Sequence, residues 1–399
     1  MHELGGRPTA EDREVGRELT SVTMGIDRLE RELASGTGAL DTEGLVPLYL
    51  GNGLVEVADL TGWQEAHERI DALQAAAAAY EDGPRRMLLL SFVDSLRAAV
   101  QLFSGEKLSF AEKLERLVGV PAAPVAPERM AELVSELDAV LASAGYVHGS
   151  LAERSKRWEA ERSVAGGKVA ALFDELMAEA QQRTDALVFP TGDYHMALNP
   201  VTDVPYTARC RFGDGLMDLN VDLNFTRSAL KHLVAHEVFP GHSTHMLFTH
   251  ARVVEGASPA DTLLCAANLS TGAVQEGIGD QGIFMIDWVD SVDDAIYMRL
   301  RALRSAAATN AAWYLMGERW EPARVRDYLQ ETAFPQPAWL EGRLRMAAHP
   351  YRGPFIASYW FGDEAVREVR ERVAADRRGA FVEYLYGSLN TVQSVKQFV

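Results

Sequence analysis

The stretch HEVFPGHSTH, residues 236–245, decides how this chain is read. A histidine followed by a glutamate, at the end of the helix-forming run SALKHLVA, begins the H-E-x-x-H pattern, in which two histidines four apart share one helical face. The place of the second histidine holds Pro240, and the next histidine, His242, stands six positions after His236. In an unbroken helix those two side chains would point about 240° apart and lie about 9 Å apart along the axis. Pro240 cannot donate a backbone hydrogen bond to the carbonyl of His236, and its ring clashes there. Phe239 is pushed out of the α region by the proline after it, and Gly241 accepts almost any backbone angle. The Pro-Gly pair therefore predicts a bent helix in which two residues loop out and His242 returns beside His236.

Five of the ten histidines fall between positions 232 and 250, around Glu237. Such a cluster predicts a metal site. Catalytic zinc takes three protein ligands and keeps one position open. The third donor is expected from TGAVQEGIGDQG, residues 271–282, where Glu276 follows His242 by 34 positions in a helical context. The expected ligand set is His236, His242 and Glu276, holding one Zn2+ per chain, with another divalent transition metal as the alternative. Glu237, next to a ligand, is placed to act as general base on the attacking water. Asp280, one turn after Glu276, is placed to orient a histidine, and His245 to support the site or lie at the surface. His232 and His236 share a face without any bend and form an alternative metal pair, but that pair leaves the Pro-Gly break without a purpose.

The rest of the chain reads as mostly helix. Apolar positions recur at helical spacing over 10–34, 62–81, 84–103, 108–118 and 127–144, and a longer helical stretch broken at Gly166-Gly167 runs from about 150 to 185. Pro and Gly then crowd residues 187–224, and LMDLNVDLN at 216–224 alternates apolar and polar residues as a half-exposed strand does. Thr226 or Ser228 is expected to cap the histidine helix. The expected fold is mainly α, with a small β-sheet edging the active-site cleft. A helical region 1–148 precedes a metal-binding region 149–399, or the two form one continuous α-rich domain. The net charge of -18 excludes nucleic acid as a partner and argues against anionic membranes. MHELGGRPTAEDREVG carries no signal-like apolar stretch, and Cys210 and Cys265 form no C-x-x-C pair. The expectation is a cytoplasmic protein with two free thiols.

The sequence also resembles domain-of-unknown-function family 885, a bacterial group related to zinc metallopeptidases of the gluzincin kind. Its hallmark reads HExYPGHH followed by an EGWA-type segment; the matching residues here are HEVFPGHS and QEGIGD. The resemblance covers roughly residues 105–395, including LVFPTGDYHMALNPVTDVPYTARCRFGDGLMDLNVDLN before the histidines and PYRGPFIASYWFGDEAVREVRERV after them. It implies a mostly helical zincin-like fold, His236, His242 and Glu276 as ligands, and Glu237 as base. Three departures stand out. Ser243 replaces the second histidine of PGHH, EGIG replaces EGWA, and alanines such as Ala308 and Ala312 replace an expected acid and histidine.

An oxyanion formed during hydrolysis needs a stabilising donor. HPYRG at 349–353 and SYWFG at 358–362 supply Tyr359 and Arg352, with His349 behind them. Asn220, Asp222 and Asn224 alternate along the expected strand and would line the cleft for substrate. The reading at this point is a zinc-dependent hydrolase that cleaves an amide or peptide bond of a small peptide or amino-acid-like substrate. The alternatives are a non-peptidase metalloenzyme acting on a small metabolite in a specialised biosynthetic pathway, and a catalytically silent metal-binding scaffold.

Overall fold

The computed structural model describes residues 7–34, 44–51, 53–266 and 268–399. The N-terminal segment read for a signal-like stretch lies partly outside these residues. The described chain is mainly α-helical, with two small sheets. Its first helices are α1 (Ala10–Leu33), α2 (Trp63–Ala79), α3 (Pro84–Phe103), the short α4 (Phe110–Glu112), α5 (Pro127–Ser143), α6 (Leu151–Glu161) and α7 (Val169–Leu187). Next come α8 (Arg227–Glu237), α9 (His242–Val254), α10 (Gly272–Met285) and α11 (Val292–Ala312). The chain ends through α12 (Pro322–Ala333), α13 (Pro337–Ala347), α14 (Arg352–Arg372), α15 (Arg378–Gly387) and α16 (Val392–Val395).

The helix boundaries follow local chemistry. Thr9 and Asp12 form a capping box at the start of α1, and Ser150 and Glu153 do the same for α6. Proline fills the first turn of α3, α5, α12 and α13, where a missing N–H costs nothing. Gly145 follows α5 with a φ of 90°, a left-handed angle that suits glycine. The glycine pair at 166–167 separates α6 from α7 as expected.

The chain forms two compact units, and neither matches a division into 1–148 and 149–399. One unit comprises Met1–Ala122, His245–Ile278 and Phe361–Val399; the other comprises Ala123–Thr244 and Gly279–Trp360. Their segments alternate along the chain, which a linear reading of composition cannot register. In the first unit the two-residue strands β1 (Leu48–Tyr49) and β5 (Leu264–Cys265) pair antiparallel. There Arg85 of α3 is held between Asp261, at 2.5 Å, and Asp12 of α1, at 3.6 Å.

The second unit contains a three-stranded sheet of β2 (Ala197–Val201), β3 (Ala208–Arg211) and β4 (Leu216–Asn220). β4 lies in the middle, parallel to β2 and antiparallel to β3. Its alternation places Met217 and Leu219 in a core with Phe173 and Leu176 of α7, Leu230 and Val234 of α8, and Trp288. The expected long strand stops at Asn220. Beyond it, Asp222 accepts from the amide of Asp203, and the backbone of Asn224 pairs with the side chain of Gln336. Past the strand the chain is held by these bonds.

Helix α8 starts at Thr226, whose side chain accepts from the amide of Ala229 at 3.1 Å. Ser228 instead donates to Asp294 of α11 at 2.7 Å. Every residue from Ser228 to Glu237 is buried. Lys231 is 1 % exposed, and its ammonium sits 2.8 Å from a carboxylate oxygen of Asp294 and 2.8 Å from one of Asp290. Burial disfavours the Asp294 carboxylate, but Lys231 and Ser228 outweigh it and hold its pKa below the usual value.

Removing one partner of such a pair leaves a buried charge uncompensated. Lys231→Met is expected to destabilise the protein by about 3 kcal/mol in urea titration at pH 7. Because the folded pKa of Asp294 is depressed, its contribution is present above the unfolded value of about 3.9 and is lost as pH falls through the folded one. The Lys231→Met penalty should therefore shrink in acid; a penalty independent of pH would count against the ion pair as its source.

Candidate metal centre

The bend between α8 and α9 is built from displaced backbone hydrogen bonds. The amide of Phe239 reaches the carbonyl of Val234 at 3.0 Å, five residues back. The amide of Gly241 reaches Ala235 at 2.8 Å and that of Thr244 reaches Val238 at 3.1 Å, each six residues back. Two residues are thus looped out of the usual four-residue ladder, as the Pro-Gly pair predicts. The side chains of Ser243 and Thr244 donate to the carbonyls of Glu237 and Val238 at 3.0 and 2.9 Å. A Cβ on Gly241 would lie 1.7 Å from the carbonyl oxygen of His236, so no other residue fits there. The result brings the rings of His236 and His242 to a centroid distance of 4.7 Å, nearly perpendicular.

His236 and His242 each offer a ligand atom, and Glu276 stands on α10 one turn before Asp280. The ligand atoms of a second group, His232, His236 and Asp280, lie within 4.8 Å of one another. The surrounding charge separates the two. Asp280 is fully buried, its Oδ1 lies 2.7 Å from Nδ1 of His236, and Arg301 of α11 is ion-paired to its other oxygen. Burial alone would protonate this carboxyl, but the Arg301 guanidinium and the contact with His236 hold it well below the usual carboxylate range. An ionised Asp280 can only accept, so Nδ1 of His236 carries the hydrogen and Nε2 keeps its lone pair for a metal. Nε2 of His232 is 3.7 Å from Asp280, too far for a hydrogen bond. Burial, then the nearby Arg301, keep His232 neutral by pushing its pKa well below 6.5. A cation placed between His232 and Asp280 would meet Arg301. His236, His242 and Glu276 offer two imidazoles and one carboxylate, a donor set that could hold a divalent metal.

Glu237 is 6 % exposed, and no hydrogen bond or ion pair engages its carboxylate among the described residues. Its carbonyl is committed to Ser243; its carboxylate is not. Helix α10 reaches α8 through small residues. A Cβ on Gly279 would stand 2.7 Å from Nδ1 of His236, and one on Gly282 would stand 3.1 Å from the carbonyl of Ala235. EGIG therefore holds glycine where the chain must pass the histidine ring.

The other expected site residues are distributed differently. Asn220 is buried, donates to the carbonyls of Val204 and Tyr206, and accepts from the amide of Asp222. It closes a turn, and β4 is a central strand, so Asn220 does not present an edge to a ligand. His245 packs against the ring of Tyr386, 5.4 Å between centroids. Nδ1 of His349 accepts from the amides of Tyr351 and Arg352 at 3.2 and 3.1 Å, a cap at the start of α14. Arg352 and Tyr359 are half-buried on α14, and Tyr359 meets Phe355 edge-on at 5.9 Å and the guanidinium of Arg343 at 5.5 Å.

Two residues near the site carried no signal in the sequence. Arg301 reaches Asp280 from a separate helix. Tyr194 stacks on Phe212 at 5.1 Å and points its hydroxyl at Ser243, 3.4 Å away, which also lies 3.5 Å from Sγ of Cys210. Burial pushes the Tyr194 phenol up to about 12. Ser243 thus ties Tyr194 to the backbone of Glu237.

No family profile matches the chain, and no curated protein matches it. Solved structures do. A provisionally named lipoprotein from Colwellia psychrerythraea superposes with a TM-score of 0.57 at 13% identity, over 84% of this chain and 66% of that one. A second, of unknown function, from Shewanella oneidensis superposes with a TM-score of 0.54 at 15% identity, over 84% of this chain and 71% of that one. The chain thus spans about two thirds of the length of these neighbours, and at such identity the likeness is one of fold.

Elemental mass spectrometry should find about one zinc per chain in the wild type and none in His236→Ala, His242→Ala or Glu276→Ala. Asp280→Asn should weaken zinc binding by about 10–100-fold in chelator competition. Full retention of zinc by His242→Ala would instead assign the metal to His232, His236 and Asp280.

Proposed function

We propose that the chain is a zinc-dependent hydrolase of the metallopeptidase type, acting on an amide or peptide bond of a small substrate. One observation carries this reading: a buried carboxylate with no partner among the described residues, Glu237, directly follows the ligand candidate His236, whose Nδ1 is held by Asp280. Structural carboxylates in this fold are paired, as Asp294, Asp261 and Asp218 are. An unpaired one beside metal-binding groups suits a base.

His236, His242 and Glu276 would hold the ion, which when bound supplies Lewis-acid polarisation of the scissile carbonyl and acidifies water to a pKa of about 7. Asp280 and Arg301 keep the His236 ring in one orientation. Glu237 takes a proton from the attacking water and delivers it to the leaving amine, so the base regenerates within a turnover. Tyr359 and Arg352 remain our candidates for the donor that faces the oxyanion.

A second reading, a non-peptidase reaction on a small metabolite, is favoured by α11. Ala308 and Ala312, where the resemblance predicts an acid and a histidine, are 5% and 1% exposed, so that helix presents buried methyl groups instead of polar ones. As to compartment, no helix among the described residues is long and apolar enough to cross a membrane. We read the protein as cytoplasmic from its two free cysteines. The naming of both similar structures as lipoproteins points instead to the cell envelope, and cell fractionation separates the two.

A panel of dipeptides and aminoacyl amides, followed by mass spectrometry of the products, tests the assignment. Glu237→Gln should retain zinc and lose about 100-fold or more of kcat. Equal turnover in wild type and Glu237→Gln would remove Glu237 as base. Turnover of a non-amide substrate alone would favour the second reading.

A further inference from the structure

Arg343 on α13 is unusual among the arginines of its unit. Its guanidinium carbon lies 5.4 Å from the ring centre of Trp339, one turn earlier on the same helix, and 5.5 Å from that of Tyr359 on α14. Both rings are themselves anchored. Trp339 packs on the cores built around α8 and α11, and Tyr359 meets Phe355 edge-on. The guanidinium makes one weak hydrogen bond, to the sulfur of Met346 at 3.8 Å. No carboxylate pairs with Arg343 among the described residues, and its side chain is half-buried.

The neighbouring charges are all committed. Arg345 pairs with Asp203 at 3.2 Å, and Glu341 pairs with Arg326. Arg304 pairs with Glu159, and Arg209 with Asp218, each at 2.8 Å. A chain with 57 acidic residues against 39 basic ones has no shortage of partners. A guanidinium in contact with two anchored aromatic rings is restricted in its rotation, while its N–H fork has only the weak contact with the Met346 sulfur from protein. Such a group is preorganised for a planar anion that accepts two parallel hydrogen bonds.

We propose that Arg343, in contact with the rings of Trp339 and Tyr359, is a binding site for the carboxylate of a small molecule. If the hydrolase reading holds, this site makes a free carboxylate part of the substrate class, as in a short peptide or an N-acyl amino acid. The carboxylate binding itself rests on Arg343 and its two aromatic walls, and is independent of any metal.

The test uses the full chain, both zinc-free and zinc-loaded, and saturation-transfer NMR. The probes are N-acetyl-leucine, its neutral amide and inorganic phosphate. Wild type should bind the carboxylate about 10-fold or more tightly than the amide, with or without zinc. Arg343→Gln should erase that preference while leaving amide binding and the thermal melt unchanged. Arg343→Lys, which keeps the charge and loses the fork, should fall between the two. No preference in wild type, or a preference that survives Arg343→Gln, would overturn the proposal, as would phosphate displacing the carboxylate at lower concentration. Because the zinc-free arm needs no metal, loss of the carboxylate preference and absence of zinc are separate results.

Discussion

Pro240 has no amide hydrogen, and the approach of His236 to His242 follows from that. The backbone cannot continue its four-residue ladder through position 240, so it takes up five- and six-residue bonds to Val234, Ala235 and Val238. The detour is possible only because Gly241 leaves room against the carbonyl of His236. It converts a spacing of six, useless on a straight helix, into two imidazoles 4.7 Å apart. Ser243 and Thr244 then tie the second helix to carbonyls that the break has freed, so the bend is satisfied rather than merely tolerated.

A helix buried along its whole length must account for each polar group it carries. On α8 the two ends do so differently. Lys231 is neutralised by Asp290 and Asp294, a structural arrangement. His236 is fixed through Asp280, which Arg301 holds in its charged form. Between these, His232 stays neutral because burial and Arg301 both oppose a proton. Both ring nitrogens of His232 lack a hydrogen-bond partner, and the Glu237 carboxylate has none among the described residues. A buried carboxylate in that state gains nothing for stability.

Much of the helical architecture was legible in the chain because its signals are local. Capping boxes at Thr9 and Ser150, prolines in first turns and the glycines at 145 and 166–167 mark boundaries within a few residues of where they fall. The strand reading was less secure. Alternation through Asn224 suggested a long half-exposed strand, yet pairing ends at Asn220: beyond it the Asp222 side chain accepts from the amide of Asp203, and the backbone of Asn224 pairs with the side chain of Gln336. Periodicity records which face a residue would take, not whether a neighbouring strand is there to pair with it. Asn220 and His349 illustrate the same limit. Each is a plausible ligand-facing residue by type, and each spends its hydrogen bonds on nearby backbone.

The sequence by itself determined the helical class, the position of the break and the identity of the histidines it could join, since all of these depend on residues within one or two turns of each other. The third donor was reachable only as a pattern 34 positions on. The tertiary structure decided the rest. It set Arg301 against Asp280 beside the His232 group, assembled each unit from segments far apart in the chain, and brought Trp339 and Tyr359 to the guanidinium of Arg343. Electrostatic and aromatic contacts act through space with no fixed sequence interval, and so they leave no periodic mark by which a linear reading could find them.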